Sequence, residues 1–119
     1  MDNEEPKSTM SVDALVEQMK TTASGLEHSS VYFALREYGA RHIMPKTVNF
    51  VKALIAIDRN GLVITTALAS TISNRGMQGT LAALHALGDK GIILLTKESV
   101  GRGANAWIIN PAFKNILKV

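Results

Sequence analysis

The 119-residue chain contains no cysteine. This absence excludes a disulfide scaffold, a thiol nucleophile and a cysteine-ligated zinc site, and it fits a reducing compartment. Charged residues are also scarce, at 19% of the chain, which separates the protein from disordered polyelectrolytes. Hydrophobic residues make up 46%, an ordinary value for a globular protein, and the length fits a single domain.

Long hydrophobic runs are absent as well. No apolar stretch of the sequence approaches the roughly 18–20 residues that are needed to span a bilayer. Residues 1–7 are polar and acidic, unlike the start of a secretory signal. We therefore expect a soluble, cytoplasmic protein with no membrane partner.

Patterns typical of enzymes and metal sites are missing too. His28, His42 and His85 are scattered and lack the spacing of metal ligands. The few acidic residues after position 45 form no recognisable carboxylate pair. The 101–103 segment, Gly-Arg-Gly, precedes a predicted strand and not a helix, so it is not a dinucleotide-binding fingerprint. We expect no catalytic activity, no cofactor and no bound metal.

The charge is divided unevenly along the chain. Residues 1–45 contain four basic and seven acidic residues, a net charge of −3. Residues 46–119 contain nine basic and three acidic residues, a net charge of +6. A basic C-terminal part favours a polyanionic partner, although an unevenly charged soluble surface would give the same numbers.

Hydrophobic periodicity predicts a mainly helical chain with one small β-hairpin. Ser11 is a predicted helix cap, residues 21–25 are a predicted linker, and Pro45 is expected to close the helix before it. Trp107 is expected in the core. The predicted helices cover residues 11–20, 26–43, 47–58, 65–72, 77–90 and 112–119, and the predicted strands cover residues 62–64, 92–96 and 104–109.

The predicted helix at residues 77–90 has two possible registers. One register buries Met77, Leu81, Leu84 and Leu87 or Gly88. It turns outward Arg75, Gln78, Gly79, Ala82 and Ala86. A shift by one residue rotates the outward face by about 100°. In the shifted register the outward residues are Gly79, Thr80 and Ala83. Thr80 then becomes a better candidate than Gln78 for contact with a binding partner.

Several short segments occur in a characteristic order between residues 47 and 109. The first segment is Leu68-Ala69 with Ile72, and the second is the apolar 81–87 part of the next predicted helix. An acidic–lysine–glycine–aliphatic segment at residues 89–93 then connects this helix to the first predicted strand of the hairpin, and the 107–111 segment, Trp-Ile-Ile-Asn-Pro, ends the second strand. This order resembles the winged helix-turn-helix of MarR-type regulators and of plasmid and phage replication proteins. The spacing from Ala69 to Gly91 is about one residue longer than in that family, and Ser73 stands where the family has glycine.

The resemblance implies a winged-helix DNA-binding domain at residues 46–119. It would be preceded by N-terminal helices at residues 11–45, a possible dimerisation region, and by a flexible tail at residues 1–10. Arg75 and Gln78 are then placed to contact base edges in the major groove. The other candidate base or groove contacts are Gly79, Thr80 and Ala82 on the second helix and Lys97 and Arg102 in the wing. The candidate phosphate contacts are Ser73 and Asn74 in the turn and Lys46 and Lys52 on the preceding helix.

The resemblance implies sequence-specific binding of double-stranded DNA. The protein would act as a transcriptional regulator or as a regulator of plasmid or phage replication and maintenance. A DNA-binding protein of this size usually dimerises, so we expect a homodimer. Its interface would be formed by the apolar stripes at residues 12–19, 31–38 or 113–117, unless these stripes pack within the chain. The alanine-rich outward face of the 77–90 helix leaves a second function open: a protein–protein interaction module that does not read bases.

Overall fold

The computed structural model describes residues 11–97 and 105–117. This part of the chain is mainly helical and contains a small antiparallel hairpin, as the sequence predicts. The predicted tail at residues 1–10 lies outside the described residues. The elements are α1 (Val12–Gly25), α2 (His28–Glu37), α3 (Pro45–Arg59), α4 (Thr66–Ser73), α5 (Met77–Asp89), β1 (Ile93–Lys97), β2 (Ala106–Ile109) and α6 (Pro111–Leu117).

Helix α1 begins at the predicted cap and continues past the predicted end. The Ser11 side chain accepts a hydrogen bond from the amide N of Ala14 at 3.1 Å. The helix runs through residues 21–25, so the predicted linker there is wrong. The reason is packing: Met19 is fully buried, and Ala23, one turn later, lies against the same core.

Helix α2 is shorter than predicted, and residues 38–44 form a loop between α2 and α3. Gly39 ends the α2 region with a left-handed φ of 85°, a conformation that is easy for glycine. Pro45 is the first residue of α3 and does not close the preceding helix. Proline suits this position because the first helical residue needs no amide hydrogen bond within the helix.

Helix α3 is the centre of the fold. It contacts α1, α2, α4 and β2, and eight of its fifteen residues are buried. One hydrophobic core includes residues from the 11–45 segment, such as Met19 and Leu35, together with Leu54, Ile64 and Phe113 from the remainder. The N-terminal helices therefore share their core with the C-terminal elements.

The hairpin joins the helical body through Trp107. Strands β1 and β2 are antiparallel, with Leu95 opposite Trp107 in the register. The predicted strand at residues 62–64 is reduced to a single bridge, in which Ile64 and Trp107 exchange backbone hydrogen bonds of 3.0 and 2.8 Å. Trp107 is 4% exposed, which confirms its expected place in the core.

None of the helices within residues 11–97 and 105–117 has the length and apolar character required to cross a membrane.

Candidate nucleic-acid interface

The turn between α4 and α5 is built by local hydrogen bonds. The Thr65 side chain caps α4 by accepting from the amide N of Leu68 at 3.2 Å. At the other end of α4, Asn74 adopts a left-handed conformation with φ of 59°. Asparagine is one of the few non-glycine residues that tolerates this region. The left-handed position after α4 is thus taken by Asn74, one residue after Ser73.

The buried face of α5 agrees with the first predicted register at Leu84 and Leu87 and differs from it on the first turns of the helix. Met77 and Leu81, which were expected inside, are 53% and 40% exposed. The buried residues are Thr80, Leu84 and Leu87. Because Thr80 is fully buried, its predicted role as a DNA contact is wrong.

The packing of Trp107 against Gly88 explains which face of α5 is turned toward the core. A Cβ atom placed on Gly88 would lie 2.8 Å from Cζ3 of Trp107, so the indole ring packs directly on the helix backbone. Thr80, Leu84 and Leu87 occupy one helical stripe with Gly88 and therefore turn inward with it. The sequence shows the apolar residues of α5 but not the glycine that receives the ring.

The outward face of α5 presents few polar groups. Gln78, Gly79 and Ala82 are exposed as expected, and Met77 and Leu81 lie among them. The exposed positions of this helix include no lysine or arginine. Gln78 is the residue near the start of α5 whose amide can form the paired hydrogen bonds that recognise adenine.

Arg75 lies beside α5. Its guanidinium carbon is 5.0 Å from the centre of the Phe50 ring, a cation–π contact between the turn and α3. The residue is half-buried and lines a cavity of about 190 Å³ with Thr47 and Ala83. The structure thus gives Arg75 a packing role in addition to its charge.

A basic cleft lies next to the turn. It has a volume of about 530 Å³ and combines the predicted phosphate contacts Ser73, Asn74 and Lys52 with Lys20 from α1. None of its lining residues is acidic. We call this feature the turn cleft; its lining residues are Lys20, Ala23, Ser24, Asn49, Lys52, Ala53, Ile72, Ser73 and Asn74.

Neither lysine of the turn cleft is paired with a carboxylate of the described residues within 4.0 Å. Among the described residues, the one ion pair within 4.0 Å joins Lys114 to Asp58 at 3.1 Å. The Ser73 hydroxyl donates to the carbonyl O of Ala69 at 2.6 Å, so its oxygen is available only as an acceptor. The donors that the cleft offers to an anion are therefore the two ammonium groups, the amides of Asn49 and Asn74 and the hydroxyl of Ser24.

The remaining predicted contacts lie elsewhere. Lys46 is exposed on the first turn of α3 and does not line the turn cleft. Lys97 is the last residue of β1 and pairs in register with Ala106. Arg102 lies outside the described residues.

Sequence reasoning missed Lys20 and Asn49. Lys20 was assigned to the end of a helix followed by a linker, so its position beside α4 was not considered. Asn49 precedes Lys52 by three residues, and this spacing on the predicted α3 places both side chains on one face. The polar face of α3 was visible in the sequence, whereas the contact between α1 and α4 depends on the tertiary fold.

Within the described part of the chain, no group of three or more His, Cys, Asp or Glu side chains is arranged to hold a metal ion. No protein-family model matches the chain, and no curated protein or solved structure matches it.

Proposed function

We propose that residues 46–119 form a winged helix-turn-helix domain that binds double-stranded DNA. The role that this proposal assigns to the protein is sequence-specific regulation of transcription or of plasmid or phage replication and maintenance. The regulatory role rests on the sequence resemblance, whereas the DNA binding is supported by the chemistry around the α4–α5 turn.

The arrangement of elements supports the fold part of the proposal. Helices α4 and α5 are in contact and are joined by a short turn through Asn74. The bridge from Ile64 to Trp107 adds a third extended segment beside the β1–β2 hairpin. A helix pair followed by such a hairpin is the element order of a winged helix-turn-helix.

The turn cleft is the observation that carries the DNA-binding part. Two lysines and two asparagines from α1, α3 and the turn after α4 converge there, directly before the exposed start of α5. Lysine ammonium groups and amide donors are typical phosphate ligands in protein–DNA complexes, and such contacts fix the position of the protein on the duplex. A phosphate in the cleft would bring the first turn of α5, with Gln78, next to the bases.

The experiment is selection of bound sequences from a random pool of DNA duplexes. We expect an enriched motif that contains adenine at the position read by Gln78. The variant Gln78→Ala should relax the preference at that base pair, at a cost of about 1–3 kcal/mol on the best duplex and little on random DNA.

Gln18→Ala is the matched control, because the Gln18 side chain is engaged with Asn60 at 2.6 Å, away from the start of α5. It should select the same motif as the unmodified protein. If no motif is enriched, or if both glutamine variants select the same motif, α5 does not read sequence through Gln78.

A second candidate function is a protein–protein interaction module. The specific observation that favours it is the exposure of Met77 and Leu81, at 53% and 40%, on a helix face without cations. Such a face buries apolar area against a protein partner more readily than it pairs with base edges. Binding through it would change little with salt, whereas binding to phosphates weakens steeply as salt rises.

A further inference from the structure

A second basic cavity lies in the loop between α2 and α3. It has a volume of about 360 Å³ and is lined by Arg36, Gly39, Ala40, Arg41 and His42. We call it the loop cavity. None of its lining residues is acidic, and neither arginine is among the described residues that pair with a carboxylate within 4.0 Å.

The loop cavity is remote from the turn cleft. Tyr38, which precedes the cavity residues, accepts a hydrogen bond from Nδ2 of Asn110 at 3.4 Å and lies near Gly91. Gly91 follows the C-terminal end of α5, whereas the turn cleft adjoins its beginning. The 13 residues of α5 separate these two ends by about 20 Å.

The backbone of the loop is held in an uncommon conformation. Gly39 has a φ of 85°, and His42, a residue with a side chain, has a φ of 54°. Left-handed conformations are infrequent outside glycine and are a reason to look for a function where the fold maintains them. This backbone conformation places His42 in the lining of the same cavity as Arg36 and Arg41.

The guanidinium groups determine the ligand chemistry. Each guanidinium has five N–H donors in a planar fork that matches two oxygens of a phosphate. One N–H of Arg36, at Nη1, donates to the hydroxyl of Tyr32 at 3.4 Å within α2, and this hydrogen bond uses one of its five donors. Two forks with no acidic neighbour in the lining suit an anion of more than one charge.

We propose that the loop cavity binds the phosphate group of a small molecule through Arg36 and Arg41, with His42 as a further donor. The cavity volume lies at the lower end of small-molecule sites. This inference does not depend on the proposed DNA binding, because the two basic sites share no residue.

The test is thermal unfolding in rising concentrations of inorganic phosphate, with sodium chloride at matched ionic strength as the reference. A ligand that binds the folded state raises the unfolding midpoint with the logarithm of its concentration. We expect this rise with phosphate and not with chloride, and we expect most of it to be lost when Arg36 and Arg41 are replaced, because phosphate at the turn cleft and the general stabilising effect of the salt would persist in that variant. Equal midpoints in the two salts would overturn the proposal.

Three variants test the residues. Arg36→Gln with Arg41→Gln should weaken phosphate binding about tenfold or more, because charged hydrogen bonds are lost. His42→Gly keeps the left-handed backbone without the imidazole and should weaken binding by a smaller factor. Arg59→Gln removes an exposed arginine from α3 and should leave binding unchanged; a double variant that binds phosphate as well as Arg59→Gln does would contradict the assignment.

A measurement of duplex DNA binding distinguishes the loop cavity from the proposed DNA interface at the turn cleft. Arg36→Gln with Arg41→Gln should bind duplex DNA as the unmodified protein does. Lys20→Gln with Lys52→Gln should lose duplex affinity and still bind inorganic phosphate at the loop cavity. Loss of duplex binding in the arginine variant, with no phosphate effect in the unmodified protein, would make the loop a DNA contact and overturn the small-molecule site.

Discussion

Gly88 is the single residue on which the orientation of α5 depends most directly. Its missing side chain gives the Trp107 ring a place on the helix backbone, and a Cβ atom there would lie 2.8 Å from the ring. Real Cβ contacts are not this short, so an added methyl group must displace the indole or the helix. A substitution at Gly88 therefore alters the packing of α5 against the hairpin.

The variant Gly88→Ala should destabilise the protein by about 1–2 kcal/mol, since overpacking outweighs the gain in helix propensity. Gly79→Ala is the matched control on the same helix, because a Cβ atom on Gly79 meets nothing within 4 Å. It should raise stability by up to about 1 kcal/mol. Urea unfolding followed by Trp107 fluorescence measures both values, and equal stabilities of the two variants would mean that Trp107 does not pack on Gly88.

In the turn between α4 and α5, one residue, Asn74, contributes both to the backbone conformation and to the polar lining of the turn cleft. Asn74 provides the left-handed conformation that ends α4, and its side chain lines the turn cleft. The two contributions can be separated, because glycine adopts the same backbone conformation without an amide group.

Asn74→Gly should leave the free energy of unfolding nearly unchanged and lower duplex affinity. Asn74→Ala should lower duplex affinity and also cost about 1–2 kcal/mol of stability, because alanine is strained in the left-handed region. Urea unfolding and fluorescence anisotropy with a labelled duplex give the two quantities. Unchanged duplex affinity in Asn74→Gly would remove this side chain from the interface.

The secondary structure was largely predictable from the sequence, and the site only in part. Local signals predicted three of the elements. The Thr65 cap indicated α4, the apolar spacing of residues 77–90 indicated α5, and the glycine stop at Gly91 indicated where α5 ends and the hairpin begins. The 21–25 segment was misjudged because its helical state depends on packing against α3 and α4. The face of α5 was misjudged because Met77 and Leu81 are as apolar as the buried Leu84, and only the contact of Gly88 with Trp107 distinguishes them.

The candidate contacts show the same division. Ser73, Asn74 and Lys52 were expected to touch phosphate, and the structure brings them together in one cleft. Lys20 joins them from α1, 32 residues before Lys52 and 53 residues before Ser73 in the chain. A contact at this sequence separation carries no local pattern, so periodicity and capping rules cannot reveal it.

The shared core implies that the N-terminal helices and the C-terminal elements unfold together. Met19 on α1 is fully buried in the same cluster as Leu54, Ile64 and Trp107. Truncation of a buried methionine costs about 2–5 kcal/mol, and this cost should fall on every element of a single cooperative unit.

Met19→Ala should therefore shift the unfolding curves of helical circular dichroism and of Trp107 fluorescence by the same amount. Val12→Ala, at a 76% exposed position of the same helix, should shift neither curve by more than about 0.5 kcal/mol. A Trp107 curve that stays in place while the dichroism curve changes would show that α1 unfolds independently.

The homodimer remains a prediction, and the structure changes where its interface can lie. The buried residues of the three expected stripes, including Met19, Val31, Leu35, Phe113 and Leu117, pack within the chain. An interface between two copies must instead use exposed side chains, of which Phe33, 57% exposed on α2, is one of the larger.

We expect sedimentation at micromolar concentrations to give twice the chain mass of 12.8 kDa. A single monomeric species throughout that range would contradict the dimer. It would leave the DNA-binding proposal intact, because the turn cleft is formed within one chain.

The most direct test of DNA binding through the turn cleft is the salt dependence of duplex affinity. Each phosphate that is neutralised contributes about 0.9 to the slope of log K against log salt concentration. Lys20→Gln with Lys52→Gln should therefore lower the magnitude of the slope by about 2, whereas Arg59→Gln should leave it unchanged. A lysine variant with the slope of the unmodified protein, or an unmodified protein whose duplex affinity does not fall with salt, would contradict the account.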